Sequence, residues 1–156
     1  MLKSILGQLE SLWRHIEQAG IGDDRAVLVV STSPSLQLEM RVFAIQEGWR
    51  ILFAKSLANA IRLSRIHKIT VVVYDQDLSG VSWHKAFSHL QNAGTVLLIL
   101  LSTVVDWRLR KAVLDNGGFD VARMPVQSAT IVPLVNGAFA LAGSVDSAVL
   151  TSSADH

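Results

Sequence analysis

Residues 69–80, which read ITVVVYDQDLSG, constrain the fold more than any other part of the sequence. Five β-prone residues run without a charged side chain and end at Asp75, and a second carboxylate, Asp77, follows two residues later. An uninterrupted run of this kind is typical of a strand that is covered on both faces at the centre of a parallel sheet. In open α/β sheets, ligands and reactive groups collect beyond the carboxyl ends of such strands. Asp75 is therefore predicted to lie where an α/β domain places its functional group.

Four further strands are predicted around this one, and all five alternate with helices. The other strands are expected at residues 25–30, 49–54, 95–101 and 119–122. The helices are expected around residues 36–45, 57–66, 81–92, 104–116 and 130–142. Pro133 fits the last helix only if it lies in the first turn. The alternation, with its short connections, predicts a doubly wound, five-stranded parallel sheet with helices on both faces.

Parallel crossovers bring the carboxyl ends of all five strands to one edge of the sheet. One cleft at that edge is therefore expected to gather the polar residues that follow the strands. These cleft residues are Ser31, Thr32, Asp75, Ser102, Thr103 and Met124.

Length and composition limit the alternatives. A chain of 156 residues with 17% charged residues indicates one folded domain, placed at residues 23–145 between an N-terminal segment, 1–22, and a polar tail, 146–156. The net charge of +1 argues against a nucleic-acid partner. The absence of cysteine excludes disulfides, a thiolate nucleophile and a cysteine zinc site.

Neither end of the chain indicates a membrane protein. The N-terminus carries Glu10 and Glu17 and lacks the apolar run of a signal peptide, so a cytoplasmic location is expected. No charged residue occurs between Arg123 and Asp146, but Pro133 and other polar or small residues interrupt that segment. It is interpreted as a buried or interface helix rather than a membrane span.

Residues 1–19 are predicted to form an amphipathic helix. The residues Leu2, Ile5, Leu9, Leu12 and Ile16 recur at spacings of three and four, and Leu6 and Trp13 widen the apolar stripe. Two roles remain open for this helix, which could dock on its own domain or pair two subunits as a short coiled coil. Glycines at 20 and 22 end the helix, and Asp23 and Asp24 form a polar hinge.

Three stretches together resemble the receiver domain of two-component response regulators. VVVYDQDLSG resembles the phosphoacceptor strand and its loop, LLILLST resembles the strand that ends in a hydroxyl residue, and NGGFDVARMP resembles the Gly-Ala-x-x-Tyr-x-x-Lys-Pro stretch. The resemblance covers residues 25–142 and implies a flavodoxin-like fold with Asp75 as the phosphoacceptor candidate. The form DQDLSGVSW resembles a subgroup of bacterial receivers.

The resemblance also implies what phosphoryl transfer needs. In the family, a magnesium ion is held by the acceptor aspartate and by an acidic pair after the first strand, and a lysine after the fifth strand pairs with the phosphoryl group. A hydroxyl residue after the fourth strand bonds the phosphoryl group, and an aromatic residue on the fifth strand moves with it.

This chain departs from that pattern at most positions. Ser102 remains as the hydroxyl candidate, but the acidic pair falls on Ser31 and Thr32. The lysine falls on Met124, with Pro125 retained, and the aromatic position falls on Val121. The sequence therefore predicts a degenerate pseudo-receiver whose acceptor is not efficiently phosphorylated.

No cofactor is expected in such a pseudo-receiver. Asp77 is the one spare acid near the cleft, and Mg²⁺ is expected, through Asp75 and Asp77, only if Asp75 is phosphorylated after all. That atypical receiver is the first alternative.

A phosphatase is the second alternative. A strand followed by Asp75, Asp77 and Ser79 also resembles the first motif of haloacid-dehalogenase-type phosphatases, with Asp75 as nucleophile and Asp77 as acid/base. That family carries the motif on the first strand of its core, whereas two βα units precede it here. The sequence is therefore expected not to encode an enzyme.

Protein surfaces are the remaining means of action. Receivers commonly dimerise through the fourth helix, the fifth strand and the fifth helix, and the last helix here is apolar around much of its girth. A homodimer or a complex with a signalling protein is expected through the N-terminal helix or the last helix. The interface candidates are Leu9, Leu12, Trp13, Ile16, Trp107, Ile131, Leu134, Val135 and Phe139.

Overall fold

A computed structural model describes residues 7–8, 25–78, 80–94 and 96–154, and side chains up to residue 144. Five strands alternate with five helices over this range. In chain order the elements are β1 (Ala26–Val30), α1 (Pro34–Glu47), β2 (Arg50–Ala54), α2 (Leu57–Ile66), β3 (Val71–Asp75), α3 (Trp83–Ala93), β4 (Leu97–Ser102), α4 (Trp107–Asp115), β5 (Asp120–Arg123) and α5 (Ser128–Ala154).

The five strands form one parallel sheet in the order β2-β1-β3-β4-β5. β3 is therefore the central strand, with Val73 opposite Val29 of β1 and Ile99 of β4. The prediction of a five-stranded, doubly wound parallel sheet is confirmed. The extra N-terminal helix predicted at residues 1–19 lies outside the described residues, except for Gly7 and Gln8, which are helical.

The sheet is covered on both faces, which explains its continuous apolar strands. Successive residues of a strand point to opposite faces. Val71 and Val73 of β3 accordingly pack on the side of α1 and α5, whereas Val72 and Tyr74 pack on the side of α2, α3 and α4. Every residue of β3 is buried.

Polar caps hold the helices close to the ends of the strands. Ser33 precedes α1, and its Oγ accepts a hydrogen bond from the Leu36 amide (3.3 Å). Ser56 and Ser82 cap α2 and α3 in the same way, and Asp106 caps α4. These caps satisfy amides that a helix leaves unpaired at its start, so each strand can connect to its helix through a short loop.

The last helix differs from the prediction. α5 begins at Ser128 and continues to Ala154, past the predicted end near residue 142 and into the predicted polar tail. Residues 143–154 contain no proline and are rich in Ala and Ser. The helix continues through them although their composition is partly polar. Pro133 lies inside the helix, beyond the first turn where it was expected. Because Pro133 and Ala129 are both exposed, water can reach the Ala129 carbonyl that the proline leaves unbonded.

Three of the interface candidates on α5 belong to the core. Ile131 and Val135 are fully buried, and Phe139 is buried against the ring of Trp49, with the ring centroids 6.3 Å apart. The prediction that these side chains line an interface is wrong, because they form the face of α5 that covers the sheet. Leu134 is half-buried. Across the described residues, no helix combines the length and the apolar character that crossing a membrane requires.

Candidate functional site

The predicted cleft forms at the carboxyl edge of the sheet. Asp75 is the last residue of β3 and is 6% exposed, and Ser31 directly follows the neighbouring β1 and is fully buried. Ser102 ends β4, on the other side of β3, and is also buried. Thr32 and Thr103 follow these serines and are exposed at the rim.

The Asp75 carboxylate is held by two neutral donors. Ser31 Oγ donates to Asp75 Oδ2 over 2.7 Å, and the Asp77 amide donates to Asp75 Oδ1 over 2.9 Å. The Asp75 carbonyl in turn accepts a hydrogen bond from the Leu78 amide (3.1 Å), which closes the turn after β3. Hydrogen bonds to a charged acceptor are among the stronger ones in proteins, so this contact fixes the Asp75 side chain.

Ser31 is itself fixed on every side. Its amide donates to the Ala54 carbonyl of β2 (3.0 Å), and its Oγ accepts from the Ser33 amide (3.0 Å). Its carbonyl accepts from Gln37 Nε2 on α1 (3.0 Å). The hydroxyl that bonds Asp75 is therefore a rigid part of the β1–α1 loop.

Ser102 makes its hydrogen bonds within its own loop. Its Oγ donates to the Val104 carbonyl (2.8 Å) and accepts from the Val104 amide (3.2 Å). The Ser102 carbonyl accepts from the Met124 amide (2.9 Å), which places Met124 just beyond β5 at the same edge. Met124 is half-buried, and a cis peptide bond joins it to the exposed Pro125.

An open polar cavity of about 520 Å³ adjoins the cleft. Asp77, Ser102, Thr103 and Asp106 line it together with Gln76, Val104 and Leu109. Two of these residues are acids, and the described lining contains no basic side chain. The cavity is therefore poorly suited to a phosphate or another anion.

The cleft has fewer carboxylates for a magnesium ion than the receiver pattern requires. Mg²⁺ requires octahedral oxygen ligands and is usually bound through carboxylates. At the positions that would supply a second and a third carboxylate, this chain has the hydroxyls of Ser31 and Thr32, and the first of these is bonded to Asp75. Within the part of the chain that the structure describes, no group of three or more His, Cys, Asp or Glu side chains could hold a metal.

A buried tyrosine neighbours the acceptor candidate. Tyr74 precedes Asp75 on β3 and packs edge-on against Phe87, with the ring centroids 6.2 Å apart. Its Oη is buried and finds no hydrogen-bond partner among the described residues. Burial raises the pKa of Tyr74 above its ordinary value, and the negative charge of Asp75 contributes in the same direction.

The structure thus brings some of the predicted cleft residues into contact with Asp75. Ser31 and the backbone of Asp77 contact the Asp75 carboxylate, whereas the hydrogen bonds of Ser102 lie in its own loop. The sequence showed that Ser31 stands where the family has an acid, but it did not show that Ser31 donates a hydrogen bond to Asp75. Its position directly after the strand that neighbours β3 was the available signal.

Known proteins were compared with the chain by sequence and by structure. No protein-family model matches the sequence, and no curated protein matches it. Solved structures do match. A response regulator receiver domain protein from Clostridium thermocellum is 18% identical, with a TM-score of 0.69 over 78% of this chain and 98% of that one.

Two further matches are receivers in assemblies. One is the receiver domain of the response regulator Ssk1 from Saccharomyces cerevisiae, solved with the histidine phosphotransfer protein Ypd1; it is 17% identical, with a TM-score of 0.62 over 71% of this chain and 86% of that one. The other is a dimer of the beryllofluoride-activated NtrC4 receiver domain, 16% identical, with a TM-score of 0.67 over 73% of this chain and 95% of that one. The resemblance found in the sequence is thus confirmed by the structure: this chain has the fold of a response regulator receiver domain.

Proposed function

We propose that this chain is a receiver-like signalling module that acts by binding other proteins and does not depend on phosphorylation of Asp75. One observation supports this above all. Ser31 occupies a position where a receiver needs an acid, and its hydroxyl is bonded to the Asp75 carboxylate at 2.7 Å. The acceptor candidate is thus bonded to a neutral side chain at a position where the family has an acid.

Phosphoryl transfer depends on cations that stabilise the charge on the transferred group. The cleft supplies neutral side chains, those of Ser31, Thr32 and Met124, where the family places two acids and a lysine. Asp77 and Asp106 add negative charge beside the cleft. A phosphodonor would therefore meet repulsion and no compensating cation, and we expect Asp75 to remain unmodified.

α4 offers the surface best suited to a protein partner. Trp107 is 71% exposed, and Val104 and Leu114 are also exposed apolar residues at either end of this helix. The Arg108 guanidinium lies 5.5 Å from the centre of the Trp107 ring. Tryptophan and arginine are the residues most enriched at interface hot spots. The Ssk1 and NtrC4 receivers, solved with a partner and as a dimer, support protein binding as the mode of action.

The phosphorylation part is tested with acetyl phosphate and Mg²⁺, followed by intact-mass spectrometry. We expect no added phosphoryl group on the wild-type chain. A magnesium-dependent mass shift that disappears in Asp75→Asn would instead establish the alternative of an atypical but active receiver.

The interface part is tested by light scattering at micromolar concentration. A homodimer through α4 predicts a dimer mass for the wild type and a lower mass for Trp107→Ala. Ile66→Ala on α2 is the matched control, because Ile66 is also exposed but lies on another helix. A monomeric wild-type chain would contradict the homodimer and leave a heterologous partner as the proposal.

The proposed function involves no catalysis. The proposed location of the protein is the cytoplasm. The phosphatase alternative needs Asp75 as a free nucleophile, whereas its carboxylate here accepts bonds from Ser31 and from the Asp77 amide. Turnover of p-nitrophenyl phosphate that is lost in both Asp75→Asn and Asp77→Asn would contradict the proposal.

A further inference from the structure

We propose that a groove at the amino-terminal edge of the sheet is the docking site of the chain's own N-terminal amphipathic segment, residues 1–19. This edge is opposite to the Asp75 cleft, and the inference does not rest on the proposed function. It decides between the two roles that the sequence leaves open for this segment.

The groove, here called the amino-edge groove, has a volume of about 430 Å³. Ile69 and Val96, which precede β3 and β4, line it together with Leu97, and Leu141 of α5 forms another wall. Leu141 is 46% exposed, so part of this apolar wall is open to solvent. The lining is thus mostly apolar and is open to a docking element.

A second cavity, of about 550 Å³, extends the amino-edge groove to the point where the N-terminal segment joins the domain. The two cavities share Lys68, Thr70 and Ala142, and the second one is also lined by Arg25. The Thr70 amide bonds to the carbonyl of Ala26, the first residue of β1, over 3.1 Å. The segment therefore enters the domain at the wall of the groove.

The connection between the segment and the groove is short. Residues 20–24 are the only ones between the predicted helix and Arg25, and five extended residues span at most about 17 Å. A helix that ends at residue 19 would consequently end within about 17 Å of Arg25. A tethered segment also has an effective concentration of about the millimolar range, which a second copy at micromolar concentration does not reach.

The acidic connection between the segment and the domain complements the charge of the groove. Residues 1–19 are balanced, with Glu10 and Glu17 against Lys3 and Arg14, whereas the connection adds two acids, Asp23 and Asp24. The rim of the two cavities carries Arg25, His67 and Lys68, and none of the described residues that line either cavity is acidic. Charge therefore favours the connection beside the rim, and the apolar stripe of the segment is left to fill the groove.

Two further observations agree with a docked helix. Ser64 Oγ, in a side chain that lines the groove, is buried and has no hydrogen-bond partner among the described residues, so it can bond a polar group that enters. Gly7 and Gln8 are helical and exposed, and at 100° per residue they fall outside the stripe centred on Leu9 and Ile16. The two described residues of the segment thus leave its apolar stripe free to dock.

Disulfide trapping tests the proposal, and the chain is suited to it because it has no natural cysteine. Leu141→Cys is combined, one at a time, with Leu9→Cys, Leu12→Cys or Ile16→Cys in the full chain. The matched control pairs Leu141→Cys with Ser11→Cys, because Ser11 lies two residues from Leu9 and hence about 200° around the helix. The products are read by non-reducing gel and intact mass across a range of protein concentrations.

The pairs that combine Leu141→Cys with a cysteine at Leu9, Leu12 or Ile16 are called stripe pairs. We expect at least one stripe pair to form an intramolecular disulfide with a yield that is several-fold above the control and independent of protein concentration. Stripe pairs that do not exceed the control would overturn the proposal. Disulfide-linked dimers whose yield rises with concentration would overturn it in favour of a second copy. A parallel series with Lys68→Cys at the exposed rim keeps the test valid if Leu141→Cys impairs folding.

Discussion

Replacing Ser31 by alanine removes the hydroxyl that holds Asp75, and its cost can be estimated from the structure. The variant loses the 2.7 Å bond to Asp75 Oδ2, and hydrogen bonds to charged groups contribute about 1.5–3 kcal/mol. It also leaves the Ser33 amide without its 3.0 Å acceptor, a neutral bond of about 0.5–1.5 kcal/mol. Ser31→Ala is therefore expected to lower the free energy of unfolding by about 2–4 kcal/mol.

Urea unfolding followed by circular dichroism measures this loss. With a slope of about 2 kcal/mol per molar urea, the midpoint should fall by about 1–2 M. Thr32→Ala is the matched control, because Thr32 is the exposed next residue, and its effect should stay within about 0.5 kcal/mol.

A double-mutant cycle with Asp75→Asn isolates the pair. The two changes should be less than additive by about 1 kcal/mol or more, since each removes the same charge-assisted bond. Additive effects, or a Ser31→Ala variant as stable as Thr32→Ala, would refute the proposed link between Ser31 and Asp75.

Two further predictions concern buried polar groups. Folding raises the pKa of Tyr74 above 10.0, so the folded state holds this proton more tightly than the unfolded state does. The resulting contribution to the free energy of unfolding is present below pH 10 and is lost as the pH rises through the folded-state pKa. The chain has a single tyrosine, so its tyrosinate absorbance should titrate above pH 10 until unfolding begins, and a midpoint at or below pH 10 would contradict the raised pKa. Tyr74→Phe should be as stable as the wild type or up to about 1 kcal/mol more stable. Asn136→Leu should cost about 1–3 kcal/mol in urea unfolding, because the buried Trp49 Nε1 loses its 2.9 Å acceptor, whereas an unchanged midpoint would show that this bond is dispensable.

The sheet and the location of the site could be predicted from the sequence because both depend on local patterns. Short apolar runs alternating with helical periods specify the βα order, and the parallel crossovers place Asp75 at the carboxyl edge. Predicted and observed strand boundaries agree within about two residues. The substitutions at Ser31, Thr32 and Met124 were also visible, because they stand at fixed positions after predicted strands.

The last helix shows what sequence patterns do not determine. α5 is apolar around most of its girth, so the pattern did not indicate that Ile131 and Val135 face the sheet. Its end was misplaced because Gly143 and the polar residues after it are typical of a helix end, whereas the helix continues through them to Ala154. The contact between Ser31 and Asp75 joins residues 44 positions apart, and it depends on the register of β1 against β3, which the sequence does not specify.

Restoring the missing charges tests the central claim most directly. The triple variant Ser31→Asp, Thr32→Asp and Met124→Lys supplies an acidic pair and a lysine around the acceptor candidate Asp75. With acetyl phosphate and Mg²⁺, we predict that this variant gains the mass of one phosphoryl group, that adding Asp75→Asn abolishes the gain, and that the wild-type chain shows none. A wild-type chain that is phosphorylated on Asp75 as readily as the triple variant would contradict the account.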